Sequence, residues 1–226
     1  MGTDIHMYAE TRRNKQWTKV GEVFKDNWYN ADKPESRWNK PYTDHPYDDR
    51  NYDLFAILAN VRNGHGFAGC RTSNGFNPIA EPKGLPNDVT PEVQDELRDW
   101  DGHSYSWFSL KELKEYDWEQ MVTHVGVLSE DQYKEMKETG KHPSSWCGGI
   151  GGGGIMTVDS ATMDKILNKT MDRDDNIEYY VQTEFPAETY KDCCYTFVEK
   201  TIPELEALVP EDGTDEDVRI LFCFDC

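Results

Sequence analysis

No stretch of this chain approaches the roughly 18 to 20 consecutive apolar residues that a membrane-spanning helix needs. The opening Met1-Gly2-Thr3-Asp4-Ile5-His6 has neither the basic segment nor the apolar segment of an export leader. Myristoylation at Gly2 would want Ser or Thr where His6 stands. Membrane attachment is therefore not expected. Positive charge is also scarce, with 24 Lys and Arg against 43 Asp and Glu and a net charge of −19 at pH 7. Phosphate backbones are held by Lys and Arg contacts that release counterions, so direct nucleic-acid binding is excluded as an expectation. An acidic field keeps a protein soluble and can also attract a basic protein partner.

Familiar catalytic signatures are missing. There is no G-x-x-x-x-G-K-[ST], no G-x-S-x-G, no H-E-x-x-H and no EF-hand loop. The run from Gly148 to Gly154, in which Ile150 is the single side chain, is followed by no Lys. It reads as a flap or a close backbone approach, not as a phosphate loop. One C-x-x-C occurs, Cys223 to Cys226, but the period of a strand puts those sulfurs on opposite faces. Six cysteines without a leader read as reduced thiols, so a cytoplasmic location is expected.

What the chain has in quantity is aromatic surface, 7 Trp, 12 Tyr and 9 Phe, and large rings supply most of a core of this size. Ile5, Met7 and Ala9 alternate with Asp4, His6, Tyr8 and Glu10, the period of a strand, and Arg13-Asn14-Lys15 turns it into a second strand from Gln16 to Phe24. Leu54, Phe55, Leu58 and Val61 form the stripe of a helix over 52–63 that Gly64 caps. Thr90-Pro91 and Ser109-x-x-Glu112 mark two short helices, and a third runs from Ser129 to Thr139, where Gly140 closes it. Strands are expected at 121–128, 177–185 and 218–225. Strands at both ends, with helices and long loops between, predict an α+β fold. Its sheet should be mainly antiparallel or mixed, with an N-terminal hairpin, in one domain over residues 1–226.

Two places carry candidate chemistry. Asp4, His6 and Glu10 share one strand face, and Asp101 and His103 repeat the Asp-x-His spacing inside Trp100-Asp101-Gly102-His103-Ser104-Tyr105-Ser106-Trp107. Brought together, Asp4, His6 and His103 would hold a divalent metal, Zn, Mn or Fe. Asp101, His103 and Glu10 would then serve as catalytic acid or base groups. The competing reading makes the first group a solvent-facing strand side and the second an aromatic corner. Arg50 and Asn51 open the first helix, where free amides beside a cation form an anion site, and Tyr105 and Trp107 offer rings to stack a base.

Met-Gly-Thr-Asp-Ile-His, Arg50-Asn51-Tyr52-Asp53-Leu54-Phe55, Gly84-Leu85-Pro86, Asp101-Gly102-His103-Ser104 with Trp107, and Val218-Arg219-Ile220 before Phe224-Asp225 together resemble a family of proteins met in bacteriophage and bacterial genomes and without an established activity. The resemblance spans the chain. It implies a phage or bacterial origin, one continuous domain, a host-cytoplasmic site of action if phage-encoded, and an accessory role such as countering host defence.

The function these readings favour is a metal-assisted hydrolase acting on a small phosphate-containing or nucleotide-like molecule. The alternative is a non-catalytic protein that sequesters a nucleotide signal or blocks a basic host protein. A homodimer is the expected assembly.

Overall fold

A computed structural model describes residues 2–21, 23–24, 42–43, 45–72 and 74–225. Most of the aromatic loop from Lys25 to Asp49 and the final Cys226 lie outside the described residues. Strand β1 (Asp4–Arg13) turns into β2 (Gln16–Val20) through Asn14 and Lys15, at φ of 51° and 67°. Two successive left-handed residues give the hairpin turn whose twist suits paired strands. Strands β3 (Val23–Phe24) and β4 (Tyr42–Thr43) form a short antiparallel pair.

Helix α1 (Tyr52–Ala59) begins where the Asn51 side chain accepts from the amides of Asp53 and Leu54. It ends at Asn60, φ 57°, a turn earlier than the apolar stripe suggests, because Asn tolerates the left-handed conformation that closes a helix. After β5 (Arg71–Thr72), Thr90 caps α2 (Pro91–Asp99). The polar-aromatic run then forms β6 (His103–Ser109) and not a corner between helices. Ser109 and Glu112 make the capping box that opens α3 (Leu110–Glu115).

Strands β7 (Met121–Val122) and β8 (His124–Ser129) lead into α4 (Glu130–Thr139), which Gly140 closes at φ 65°. Asp159 joins β9 (Ile155–Asp159) to α5 (Ser160–Leu167) as its cap. Next come β10 (Glu178–Glu184), β11 (Glu188–Thr189) and α6 (Tyr190–Cys193). A π turn over Phe197–Thr201 precedes α7 (Ile202–Glu206), and β12 (Val218–Asp225) ends the described chain. The fold is α+β with antiparallel and mixed sheets. No helix is long and apolar enough to cross a membrane among the described residues.

Where one domain is expected from length, contacts divide the chain into two compact units: residues 1–50, 81–116 and 195–226, and residues 51–80 and 117–194. The first holds the antiparallel sheet β2-β1-β12-β6. Both of its faces are covered. Ile5, Met7, Ala9, Phe222 and Phe224 are buried on one, and Tyr8, Leu221 and Cys223 pack with Val93 and Leu97 of α2 on the other. β1 is therefore an inner strand, and His6, Tyr8 and Glu10 are buried instead of solvent-facing.

The second unit is built on β5-β8-β10-β9, antiparallel except for the parallel β9–β10 pair. Leu128, Tyr133, Met136, Met163, Ile166, Tyr179, Val181 and Phe185 form its core under α4 and α5. The glycine run begins here for a steric reason: a Cβ on Gly148 would stand 2.1 Å from the carbonyl carbon of Gly69. That spacing admits glycine alone.

Candidate metal centre

In the second unit five side chains from five segments converge. Asp53 lies in the first turn of α1, His124 opens β8, His142 follows the Gly140 turn, Glu188 begins β11, and Cys193 ends α6. Local structure fixes each. Asn51 caps α1 and also donates its side-chain amide to the Cys193 carbonyl at 2.8 Å, tying the start of α1 to the end of α6. Thr189 caps α6 through a box with Asp192, one residue after Glu188. His124 is held by its carbonyl, which accepts from the Phe185 amide at 2.8 Å.

One atom of each of His124, His142 and Glu188 lies within 4.8 Å of the other two, and the same is true of Asp53, His124 and Cys193. Glu188 Oε1 stands 3.2 Å from His124 Nδ1 and 3.1 Å from His142 Nε2. His124 Nε2 stands 3.4 Å from Asp53 Oδ2. The two contacts to Glu188 do not align as hydrogen bonds. His124 Nδ1 and His142 Nε2 are both buried and lack a hydrogen-bond partner. Thr72 Oγ1 is a third such atom, and Thr72 is the cross-strand neighbour of His124. Three of the four unsatisfied buried side-chain atoms among the described residues thus belong to this cluster or border it.

Leaving a buried donor or acceptor unpaired costs about 1 to 3 kcal/mol. Nitrogen and oxygen atoms bound at about 2.0–2.2 Å to one tetrahedral ion lie roughly 3.3 to 3.5 Å apart. The two Glu188 contacts, at 3.2 and 3.1 Å, fall slightly short of that spacing, near enough for one ion to sit between the three donors. An apolar wall surrounds them. The His142 ring stands edge-on to Trp146 at 4.9 Å and to Phe185 at 5.2 Å, and Phe76 lies 6.2 Å from His124.

Burial opposes charge on His124, yet Asp53 and Glu188 outweigh it and raise its pKa to about 9. Burial, then the charges of Glu188 and Asp53, push the Cys193 thiol far up, leaving it protonated. A divalent cation would invert that balance, since it favours the anionic thiol and the unprotonated imidazole together.

The residues expected from sequence to carry chemistry lie elsewhere. Asp4 receives a two-pronged contact from Arg50, at 2.7 and 2.6 Å, which engages both the metal ligand and the anion anchor expected there. His6 stacks on Trp100 at 3.7 Å and faces Asp225 at 3.2 Å. Cross-strand register places His6 opposite Cys223 and His103 opposite Phe224. Cys223 and Phe224 are consecutive, so the two histidines ride on opposite faces of the sheet and the joint site of Asp4, His6 and His103 does not form. His103 is exposed and bonds Ser104.

Asp101 is exposed in a left-handed turn, φ 51°. Glu10 is fully buried against Arg219 and Thr90, which leaves it no role as a base. Asn51 is a helix cap. The Tyr105 hydroxyl donates to the Leu97 carbonyl, and Trp107 packs under the Lys83 ammonium at 4.1 Å. The ligand set actually assembled carries no spacing motif. The signal available in sequence was a His at the head of the apolar β8 run, His124-Val125-Gly126-Val127-Leu128.

No protein-family model, curated protein or solved structure matches this chain.

Proposed function

We propose that this chain is a metal-assisted hydrolase whose divalent ion is held by His124, His142 and Glu188. The observation that carries the reading is the pair of buried imidazole nitrogens, His124 Nδ1 and His142 Nε2, both without a hydrogen-bond partner and both facing Glu188 Oε1. Two imidazoles and one carboxylate are a donor set suited to zinc, manganese or iron, and three protein ligands leave a position for water. Asp53 stands 3.4 Å behind His124 Nε2, the side on which a carboxylate commonly backs a metal-bound imidazole. A bound ion lowers the pKa of its water toward neutrality and supplies the nucleophile.

A small phosphate ester fits such an oxygen-seeking centre. Trp146, 37% exposed and edge-on to His142, offers a flat face to a base. The test is elemental analysis of the full chain together with hydrolysis of bis(p-nitrophenyl) phosphate and nucleoside phosphates. We expect near-stoichiometric zinc, manganese or iron, and turnover lost on His142→Ala. A metal-free protein that takes up none of the three ions ends the reading. Metal uptake without turnover on any phosphate ester favours the sequestering alternative.

A further inference from the structure

Beside the three donors stands a hydroxyl that the hydrolase reading does not use. Thr72 lies directly opposite His124 in the antiparallel pair of β5 and β8. Directly opposed residues send their side chains from the same face of a sheet, with Cβ atoms about 4.5 to 5.5 Å apart. The Thr72 hydroxyl and the His124 ring therefore enter the same space. Arg71, one residue earlier, is exposed on the other face.

Thr72 is 5% exposed, and its Oγ1 has no hydrogen-bond partner. A hydroxyl both donates and accepts, and it turns to suit its partner; buried without one, it destabilises the fold. Valine has nearly the same shape, suits a strand as well, and would carry no such penalty. The fold alone thus gives position 72 no reason to keep an oxygen. An ion is a poor partner for it, because zinc takes thiolate, imidazole and carboxylate donors and a fourth protein ligand would close the position that water needs. What remains within reach is the oxygen that occupies that open position.

We infer that Thr72 is a positioning residue whose hydroxyl hydrogen-bonds the oxygen in the open position of the centre. In the resting centre that oxygen belongs to water, which donates to Oγ1. With a phosphate ester bound it is a phosphoryl oxygen, which accepts from the hydroxyl. No proton changes owner at Thr72. The inference rests on the metal reading above, and it adds the side from which the open position is addressed, that of β5.

Inorganic phosphate is the probe, because its oxygens can take the open position without turnover. Its affinity for the zinc-loaded full chain is measured by titration calorimetry in the wild type, Thr72→Val and Thr72→Ser, beside zinc affinity and the melting of the metal-free proteins. We expect Thr72→Val to weaken phosphate at least about tenfold, as the loss of one hydrogen bond to a charged group would, and Thr72→Ser, which keeps the hydroxyl, to restore most of that affinity. Zinc affinity should be unchanged in both variants. Metal-free Thr72→Val should melt no lower than the wild type, since it has no hydrogen bond to lose. Full phosphate affinity in Thr72→Val overturns the inference and leaves the metal centre standing, as does a zinc-loaded wild type that binds no phosphate. A Thr72→Val protein that loses zinc, melts well below the wild type or fails to fold overturns it too, because the hydroxyl then serves the ion or the fold. No zinc uptake by the wild type overturns both readings.

Discussion

The two units each bury a cluster of charge, and they treat it in opposite ways. In the first, Glu10 is 0% and Arg219 2% exposed, and nearly every polar atom between them is used. Arg219 Nε donates to Glu10 Oε2 at 2.7 Å, its Nη1 to Asp88 Oδ1 at 2.7 Å and its Nη2 to the Asp88 carbonyl at 3.0 Å. The amide and hydroxyl of Thr90 fill Glu10 Oε1, and Trp17 covers the guanidinium at 3.8 Å. In the second unit, His124 is shared by two donor sets, one with His142 and Glu188 and one with Asp53 and Cys193, and imidazole nitrogens stand unfilled. A closed network is complete without a ligand, whereas an open one of metal-binding groups is completed by an ion.

The largest effect is expected at Glu10. Glu10→Ala strands the Arg219 guanidinium in a dry interior, which costs about 3 to 5 kcal/mol when one partner of a buried pair is removed. Urea unfolding should show a loss of that size with no change in metal uptake. A loss under about 1 kcal/mol would mean that Asp88 and Trp17 alone satisfy Arg219, and that the first cluster is less closed than its geometry says.

The second cluster should respond to ligand instead. If zinc binds only the folded chain, free zinc at 100 times its dissociation constant adds about 2.7 kcal/mol of stability. Thermal melting should show that gain, reverse it with chelator, and lose it in His142→Ala. Without metal, His142→Ala should cost on the order of 1 to 2 kcal/mol, since Nε2 has no hydrogen bond to lose and only the edge contacts with Trp146 and Phe185 go. A large destabilisation of the metal-free protein would instead mark His142 as a structural residue.

Much of the fold was legible because its signals are local. The Asn14-Lys15 turn, the Thr90, Ser109 and Ser129 caps, the Gly140 stop and the alternation of β1 and β12 each depend on a few neighbouring residues. The centre was not legible, since its side chains fall at 53, 124, 142, 188 and 193 and meet only through tertiary packing. The Asp-x-His repeat misled for a physical reason. Within a strand it sets two side chains on one face, but the register against β12 decides which face, and that register put His6 and His103 on opposite sides.

A smaller effect separates the buried from the exposed part of the first network. The Asp88 side chain is 63% accessible. Although its hydrogen bonds to Arg219 and Trp17, against some desolvation, hold its pKa below the usual value, water screens the pair. Asp88→Ala should therefore cost about 1 kcal/mol or less, well under Glu10→Ala. Equal losses would show that Asp88 and Glu10 act as one unit, which a double-mutant cycle would register as strong coupling.

The smallest expected effect belongs to His6, whose Nε2 is the one unfilled buried atom found in the first unit among the described residues. Burial lowers its pKa below 6.5, and the nearby Asp225 only partly opposes that. The sign follows from proton counts. As pH falls below about 6.5, the unfolded chain takes up a proton on this residue before the folded chain does, so stability present above 6.5 is lost down to the folded pKa. The slope must stay below the roughly 1.4 kcal/mol per pH unit of one full proton. His6→Phe keeps an aromatic ring against Trp100 and removes the titration. Urea unfolding of both proteins between pH 8 and pH 5 should show the wild type losing stability faster than the variant over the acid half of that range. Parallel curves would mean that the folded and unfolded chains hold the His6 proton equally, and that contact with Asp225 compensates its burial.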